Sequence, residues 1–320
     1  MDKRTKILYS ILLLVVIAAP FLGGYPLFLM NAMCFALFAC AFNLLIGFTG
    51  LLSFGHAMFF GMAAYFCGHA AKVWGLTPEL AVLFGTVGAA AMGYLVGWLA
   101  VRRQGIYFAM VTLALSQMVY FICVQAPFTG AEDGLQSIPR GKLFGLISLQ
   151  GAPHDPLFGV IPIPDDIVMY YFALALFVFG FWVIYRTIHS PFGQVLKSIR
   201  ENEPRALSLG YDVDKYKLVA FVISAALAGM AGAVKSLSIG AASLTDVSWQ
   251  MSGEVVLMTL LGGMGTILGP VLGATTIITM QHYLAGFGSW VTIIMGVTFV
   301  VCVLAFRRGI VGEIAYRLKR

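Results

Sequence analysis

The chain has 320 residues, of which 60% are hydrophobic and only 11% are charged. Soluble domains carry about 25% charged residues, and a soluble protein of this size with so little charge would expose apolar surface that promotes aggregation. The composition therefore excludes an ordinary soluble domain and indicates a membrane protein. The net charge of +6 does not indicate nucleic-acid binding, because the basic residues are dispersed between apolar segments and form no basic patch.

Ten apolar segments follow one another, each close to the length of about 20 residues with which a helix crosses a bilayer. Backbone groups in lipid must pair within their own segment, which favours helices. The predicted spans are 7–23, 26–47, 55–73, 79–101, 105–125, 167–187, 216–237, 250–264, 267–285 and 289–306. The glycine-rich segments 55–73 and 250–285 also allow broken or re-entrant helices. The sequence predicts an all-α polytopic membrane protein with a single transmembrane domain over residues 1–320.

The first segment resembles a signal peptide, but cleavage needs a small-x-small site and Pro20 follows Ala18-Ala19, so we expect an uncleaved first span. All but four of the 20 lysines and arginines fall on one side if the N-terminus is cytoplasmic. The exceptions are Lys72, Arg140, Lys142 and Lys235. This bias follows the positive-inside rule and predicts that both termini are cytoplasmic. It makes 126–166, rich in proline, an irregular external loop and 188–217 a cytoplasmic loop.

The cytoplasmic loop contains a helical pattern. Ser190 is a helix cap followed by Pro191 in the first turn, and apolar residues then recur at helical spacing at positions 192, 195, 196 and 199. Pro204 begins a second short helix that continues to Leu209, and Gly210 supplies a left-handed stop. The pattern leaves two alternatives open: the apolar stripe docks into a groove of a soluble partner, or the helix lies at the membrane interface.

Glycines are spaced similarly in two places, at Gly47, Gly50 and Gly55 and again at Gly262, Gly265 and Gly269. The similarity suggests a weak internal repeat, and substrate paths of transporters lie where such repeats meet. Close helix packing is the alternative explanation. Polar residues within apolar segments are costly and indicate a cavity. The candidates for a translocation path are Asn43, Thr49, Ser53, His56, Gln117, Glu254 and Gln281. For His56 a packed, hydrogen-bonded core position is the favoured interpretation, and for Glu254 the external interface.

No motif for catalysis, metal binding or nucleotide binding is present in the sequence. The five cysteines lie inside apolar segments without metal-ligand or disulfide spacing, and the five histidines are scattered. No lysine lies in the context G-x-x-x-x-G-K-[ST] of a phosphate-binding loop. We therefore expect no enzyme activity, metal or cofactor in this chain.

Several segments, in order along nearly the whole chain, resemble the LivM-type permeases of bacterial ABC importers for branched-chain amino acids. They are 43–56 (NLLIGFTGLLSFGH), 105–114 (GIYFAMVTLA), 190–193 (SPFG), 200–203 (RENE) with Gly210, 216–229 (YKLVAFVISAALAG) and 262–270 (GGMGTILGP). The resemblance implies that residues 190–217 couple the permease to a separate nucleotide-binding subunit. The implied coupling residues are Pro191, Phe192, Gly193, Arg200, Glu201, Glu203, Ala206, Gly210 and Lys217. The family usually has small or apolar residues just after the second glutamate of the 200–203 motif, and Pro204-Arg205 departs from that pattern.

The resemblance also implies the assembly: a second similar permease, two ATPase subunits that bind ATP and Mg²⁺, and a periplasmic solute-binding protein, in the bacterial inner membrane. Permeases for urea or short-chain amides are closely similar, so the substrate stays open. A secondary transporter driven by an ion gradient is an alternative, but it needs membrane-embedded carboxylates, for which only Glu254 is suitable. An intramembrane enzyme is disfavoured, because Asp165-Asp166 is the one acidic pair near a membrane end.

Overall fold

The structure is a computed structural model, and it describes residues 14–21, 24–143, 145, 147–149, 165–288, 290–305 and 309–318. Residues 14–18 are helical, and the rest of the predicted first span lies outside the described residues. The helices that follow are α1 (Pro26–Ile46), α2 (His56–Lys72), α3 (Pro78–Ala100), α4 (Ile106–Gln125), α5 (Asp165–His189), α6 (Pro191–Glu201), α7 (Glu203–Ser208), α8 (Val213–Ile239), α9 (Trp249–Gly262), α10 (Gly269–Leu284), α11 (Trp290–Ala305) and α12 (Gly309–Leu318).

Helix α1 forms the centre of the bundle, and 83% of the residues in its most apolar stretch are buried. Helices α8, α5 and α10 pack around it, and α2 and α3 pack against α8. Small residues allow this close packing: a Cβ atom on Gly232 of α8 would lie 1.9 Å from the backbone oxygen of Phe60 in α2. Helices that are apolar all round are suited to a buried position or to lipid, which accounts for α1 being able to occupy the core.

The connections between helices gather at two ends of the bundle. At the first, which we call the Arg200 end, lie residues 47–55, 101–105, 190–212 and 263–268. At the other, which we call the Arg140 end, lie residues 73–77, 126–143 and 240–248. Hydrogen bonds join the connections within each end, such as Gln104 with Glu203 at one and Leu135 with Ala242 at the other. Successive helices from α1 to α10, apart from α6 and α7, therefore run in alternating directions, as the predicted topology requires.

Within the described part of the chain, five helices are long and apolar enough to cross a membrane: α1, α3, α4, α5 from residue 166, and α8. Helices α9 and α10 have only 14 and 16 residues, which at 1.5 Å per residue falls short of a bilayer core of about 30 Å. The alternative of broken helices in 250–285 is thus the better description of that segment. Helix α2, with 17 residues, is also short. The number of ten membrane spans and the internal repeat stay predictions.

The segment predicted to be an external loop, 126–166, contains more structure than the sequence indicated. Its described part has two short 3-10 turns and a two-stranded hairpin, β1 (Lys142–Leu143) with β2 (Ile147–Ser148). Leu135 pairs with Ala242 across the Arg140 end, and Arg140 donates to the backbone oxygen of Ser238 at 2.8 Å. Residues 150–164 lie outside the described residues. Since α5 begins at Asp165, the loop ends slightly earlier than 166.

The connection between α5 and α8, predicted as a cytoplasmic loop, is shorter than the predicted range 188–217. Helix α5 continues to His189 and α8 begins at Val213, with Asp212 as its cap accepting from the backbone of Lys215 at 3.3 Å. Lys215 and Lys217 are therefore helical. Helix α12, which the sequence did not predict, follows α11, and Gly309 at its start packs against Gly263 at the Arg200 end.

Candidate coupling site

Helices α6 and α7 form as the sequence predicts. The Ser190 hydroxyl accepts a hydrogen bond from the backbone of Gly193 at 3.3 Å, with Pro191 in the first turn. A second cap, Asn202, accepts from the backbone of Arg205 at 3.1 Å and starts α7 at Glu203, one residue before the predicted Pro204. Gly210 has φ +85° and ends the segment in the left-handed region.

The apolar stripe of α6 faces the protein's own helices, so the central residues of the stripe are covered within this chain and not left free for either of the two alternatives that the sequence left open. Leu196 is fully buried and Ile199 is 2% exposed. Phe192 stacks on Tyr216 of α8 with ring centroids 5.5 Å apart. Apolar burial in this helix stabilises its attachment to the permease. What α6 offers to a partner is its other face, where Pro191 and Glu201 are exposed.

Arg200 connects α6 with both glycine-rich breaks. Its guanidinium donates a hydrogen bond to the backbone oxygen of Gly47 at the end of α1. A Cβ atom on Gly265, in the break between α9 and α10, would lie 3.4 Å from the same guanidinium nitrogen, and one on Gly50 would lie 3.2 Å from Cγ of Arg200. A guanidinium is a rigid multiple donor, and this contact fixes α6 to the end of α1.

Asn43 holds the two breaks together. Its side-chain nitrogen donates to the backbone oxygen of Thr266 at 2.8 Å, and its side-chain oxygen accepts from the backbone nitrogen of Gly265 at 3.0 Å. Gly47 lies so close that a Cβ atom there would be 2.7 Å from the nitrogen of Gly265. The two segments that the sequence paired by their glycine spacing are thus in direct contact, with Arg200 bonded at the same place.

Glu203 joins three parts of the Arg200 end: its own helix α7, helix α8 and the connection 101–105. Its carboxylate is 2.7 Å from the ammonium of Lys217 in α8 and accepts a hydrogen bond from the amide of Gln104, between α3 and α4, at 2.8 Å. Lys217 is only 3% exposed. A buried ammonium needs a charged or hydrogen-bonding partner, and Glu203 supplies it. Ala206, 2% exposed, packs with Ile199 beneath α7.

At the Arg200 end, the ion pair between Lys215 and Asp212 lowers the pKa of the aspartate. The Lys215 ammonium lies 2.7 Å from the Asp212 carboxylate, and its hydrogen bond, together with that of the Lys215 backbone, holds the pKa of Asp212 below its ordinary value. Asp212 therefore stays ionised as the cap of α8. The carboxylate at a helix N-terminus also suits the helix dipole.

The predicted path residues do not converge on one cavity. Asn43, Thr49 and Ser53 are buried at the break after α1, where Thr49 donates to the Leu45 backbone oxygen. Gln117 lies on α4, and its buried amide nitrogen has no hydrogen-bond partner among the described residues. Glu254 on α9 is half-buried and accepts from Gln281 at 3.1 Å.

His56 is a core residue. Its ring is fully buried, with Phe38, Phe42, Phe59 and Phe221 around it at centroid distances from 5.4 to 6.2 Å. Its Nε2 atom lies 2.9 Å from the hydroxyl of Ser224. The packed alternative stated from the sequence therefore describes its position. Among the described residues no three His, Cys, Asp or Glu side chains group to hold a metal ion.

Three polar interactions were not found from the sequence. Gln104 follows an arginine pair and resembles a loop residue, yet it bonds Glu203. At the Arg140 end, Arg140 pairs with Asp166 at 2.7 Å, and Lys235 pairs with the buried Asp246. The positive-inside pattern placed Arg140 and Lys235 among the four basic residues near the outer side, and that exceptional position was the available signal.

The comparisons with known proteins identify the family. The family model described as branched-chain amino acid transport system / permease component matches residues 26–303. The chain belongs to this family. It is 28% identical to the high-affinity branched-chain amino acid transport system permease protein LivM of Salmonella typhimurium, over 99% of the chain and 77% of that protein, and 28% identical to LivM of Escherichia coli over the same shares.

A more distant relative has a different cargo in its name. The chain is 28% identical to the fructose import permease protein FruG of Bifidobacterium longum, over 42% of the chain and 41% of that protein. No solved structure matches the chain. Family membership and the apolar helices together make this chain a membrane-embedded permease component of a transport system.

Proposed function

We propose that the chain is the inner-membrane permease subunit of an ATP-driven importer for branched-chain amino acids. The observation that carries the proposal is the family match over residues 26–303, together with near full-length similarity to two LivM permeases. Hydrolysis of ATP takes place in separate ATPase subunits, since the chain has no phosphate-binding loop. Both termini are cytoplasmic in this assignment.

The coupling element is the segment 190–212, at the Arg200 end. Its outward face, with Pro191 and Glu201 exposed, meets an ATPase subunit, and its inward face is fixed to the permease by Leu196 and Ile199. A push on this element moves Arg200, and through Arg200 the contact between the two glycine-rich breaks. The breaks are the natural hinge, because glycines at φ above zero supply freedom that other residues lack.

The partners of the proposed complex are a second, similar permease, two ATPases that bind ATP and Mg²⁺, and a periplasmic solute-binding protein. Exposed apolar side chains on α3 and α4, such as Leu83, Leu95, Met110 and Phe121, suit contact with lipid or with the second permease. Transport is driven mechanically by the ATPases, so the path does not require embedded carboxylates for coupling ions.

Gentle purification from the native membrane, followed by mass spectrometry of the recovered proteins, tests the proposal. Recovery of ATPases that contain phosphate-binding loops, with a second permease, supports it. Recovery of this chain alone, in a form that transports after reconstitution without ATP, contradicts it and favours the ion-coupled alternative. Competition for uptake among leucine, isoleucine, valine, urea and acetamide then identifies the substrate class.

A further inference from the structure

A cavity of about 370 Å³ opens at the Arg140 end between the start of α1, the end of α8 and the end of α10. It falls within the size range of small-molecule sites, which begins at about 300 Å³. None of the path residues proposed from the sequence lines it except Gln281. One wall is apolar and consists of Leu27, Phe28, Ile239 and Ile278.

The cavity also has a hydrogen-bond acceptor without a donor. Asn31 lines the cavity, and its side-chain oxygen is buried with no hydrogen-bond partner among the described residues. A buried unpaired polar atom costs about 1–3 kcal/mol, and rotation of the partly exposed Asn31 amide into the cavity would pair this oxygen with a donor of a ligand. Gln281 lies beside it, and its amide nitrogen is already engaged by Glu254 at 3.1 Å, which leaves its carbonyl oxygen as a second acceptor.

The rim of the cavity has the complementary chemistry. Tyr25 and His282 line it and are exposed, and both carry groups that donate hydrogen bonds. The ring of His282 packs on Phe28 with centroids 4.8 Å apart. Two acceptors inside, two donor-bearing side chains at the rim and an apolar wall match a small molecule that has an ammonium, a carboxylate and an apolar side chain.

We propose that this cavity is an outer subsite for an apolar α-amino acid, in which Asn31 and Gln281 receive the ammonium and Tyr25 at the rim receives the carboxylate. The proposal rests on the proposed function for its place in transport. It adds a docking point for the free amino acid between release by the binding protein and passage through the permease. The Arg140 end is the outer end in that assignment, so the cavity faces the side from which the substrate arrives.

Cysteine protection in the whole purified complex tests the site directly. In a Cys302→Ser background, His282→Cys at the rim is labelled with a membrane-impermeant thiol reagent, with and without free L-leucine. The matched control is Tyr283→Cys, because Tyr283 is 77% exposed on the same helix and does not line the cavity. We expect leucine to slow labelling at 282 at least fivefold, and glucose to have no effect, while labelling at 283 is unchanged.

Asn31→Leu then tests the assigned contact, because it removes the acceptor at nearly constant size. We expect the leucine concentration for half-protection of His282→Cys to rise about tenfold, which corresponds to about 1.4 kcal/mol. Absence of protection at 282, equal protection at 283, or unchanged half-protection in Asn31→Leu would each overturn the subsite.

Uptake of leucine by the parent complex is measured in parallel and separates the two proposals. If the parent transports leucine but leucine does not protect 282, the subsite is wrong and the proposed function stands. If leucine protects 282 but the parent transports no branched-chain amino acid, the subsite stands and the proposed substrate of transport is wrong.

Discussion

The ammonium of Lys217 and the carboxylate of Glu203 lie 2.7 Å apart, and Lys217 is 3% exposed while Glu203 is 22% exposed. The pair fastens α7 to the start of α8. The side-chain amide of Gln104 donates a hydrogen bond to the same carboxylate and is its second partner. The coupling segment is thus held by an ion pair that is much more buried on its basic side than on its acidic side.

This asymmetry predicts unequal effects of the two single substitutions. Glu203→Ala leaves a buried ammonium unpaired, whereas Lys217→Met removes the buried charge and leaves a carboxylate that still reaches Gln104 and solvent. We expect Glu203→Ala to be more destabilising than Lys217→Met by about 1–3 kcal/mol. Denaturation of the purified complex measures the difference, and equal losses of stability would contradict the assigned burial.

Arg200 is predicted to transmit movement from α6 to the helix breaks. Arg200→Ala removes the hydrogen bond to the Gly47 backbone oxygen, so we expect substrate-stimulated ATP hydrolysis to fall at least tenfold while assembly persists. Arg102→Ala is the matched control, because Arg102 lies at the same end with its guanidinium over Trp98, 5.5 Å from the ring centroid. Normal stimulation in Arg200→Ala, or equal losses in both variants, would contradict the role of Arg200.

Gly47 is predicted to tolerate no side chain. In Gly47→Ala the new Cβ atom would lie 2.3 Å from the side-chain oxygen of Asn43 and 2.7 Å from the nitrogen of Gly265. Overpacking of this kind costs about 1–3 kcal/mol, and here it also separates the two breaks, so we expect transport to be lost. Gly253→Ala serves as the control, since nothing lies within 4 Å of its Cβ position. Uptake assays at matched expression compare the two variants.

Gly210 is predicted to matter through its backbone alone. Its φ is +85°, and nothing lies within 4 Å of the position of a Cβ atom. Gly210→Ala should therefore cost about 1–2 kcal/mol in conformational strain and loosen the end of α7, without any steric clash. Limited proteolysis of residues 203–212 should become faster. Gly286→Ala, also in open space but without the positive φ, should leave proteolysis unchanged.

Local patterns in the sequence were enough to predict α6, since Ser190, Pro191 and the stripe ending at Ile199 specify a capped helix. They were not enough to say what covers the stripe, because periodicity defines a face but not its neighbour. The surrounding helices α5 and α8 supply that neighbour, and only tertiary packing shows it. Lys217 is a similar case: a charged residue resembled part of the loop, while its ion pair with Glu203 permits it inside a helix.

The glycine spacing predicted two related segments, and the structure places Gly47 and Gly265 in contact through Asn43. Spacing alone does not indicate contact between residues more than 200 positions apart. Asn31 was missed because one carboxamide near the start of an apolar helix resembles an ordinary interfacial residue. Its buried, unpaired oxygen is visible only once α8 and α10 are in place around it.

Uptake of leucine into proteoliposomes is the direct test of the proposal that this chain belongs to an ATP-driven importer of branched-chain amino acids. The complex is reconstituted with the ATPases recovered with this chain and with the solute-binding protein, and labelled leucine is followed with ATP present or absent on the ATPase side. If the chain is part of an ATP-driven importer, we expect uptake that requires ATP and that is abolished by Gly47→Ala. Uptake by this chain alone, driven by an ion gradient without ATP, would contradict it.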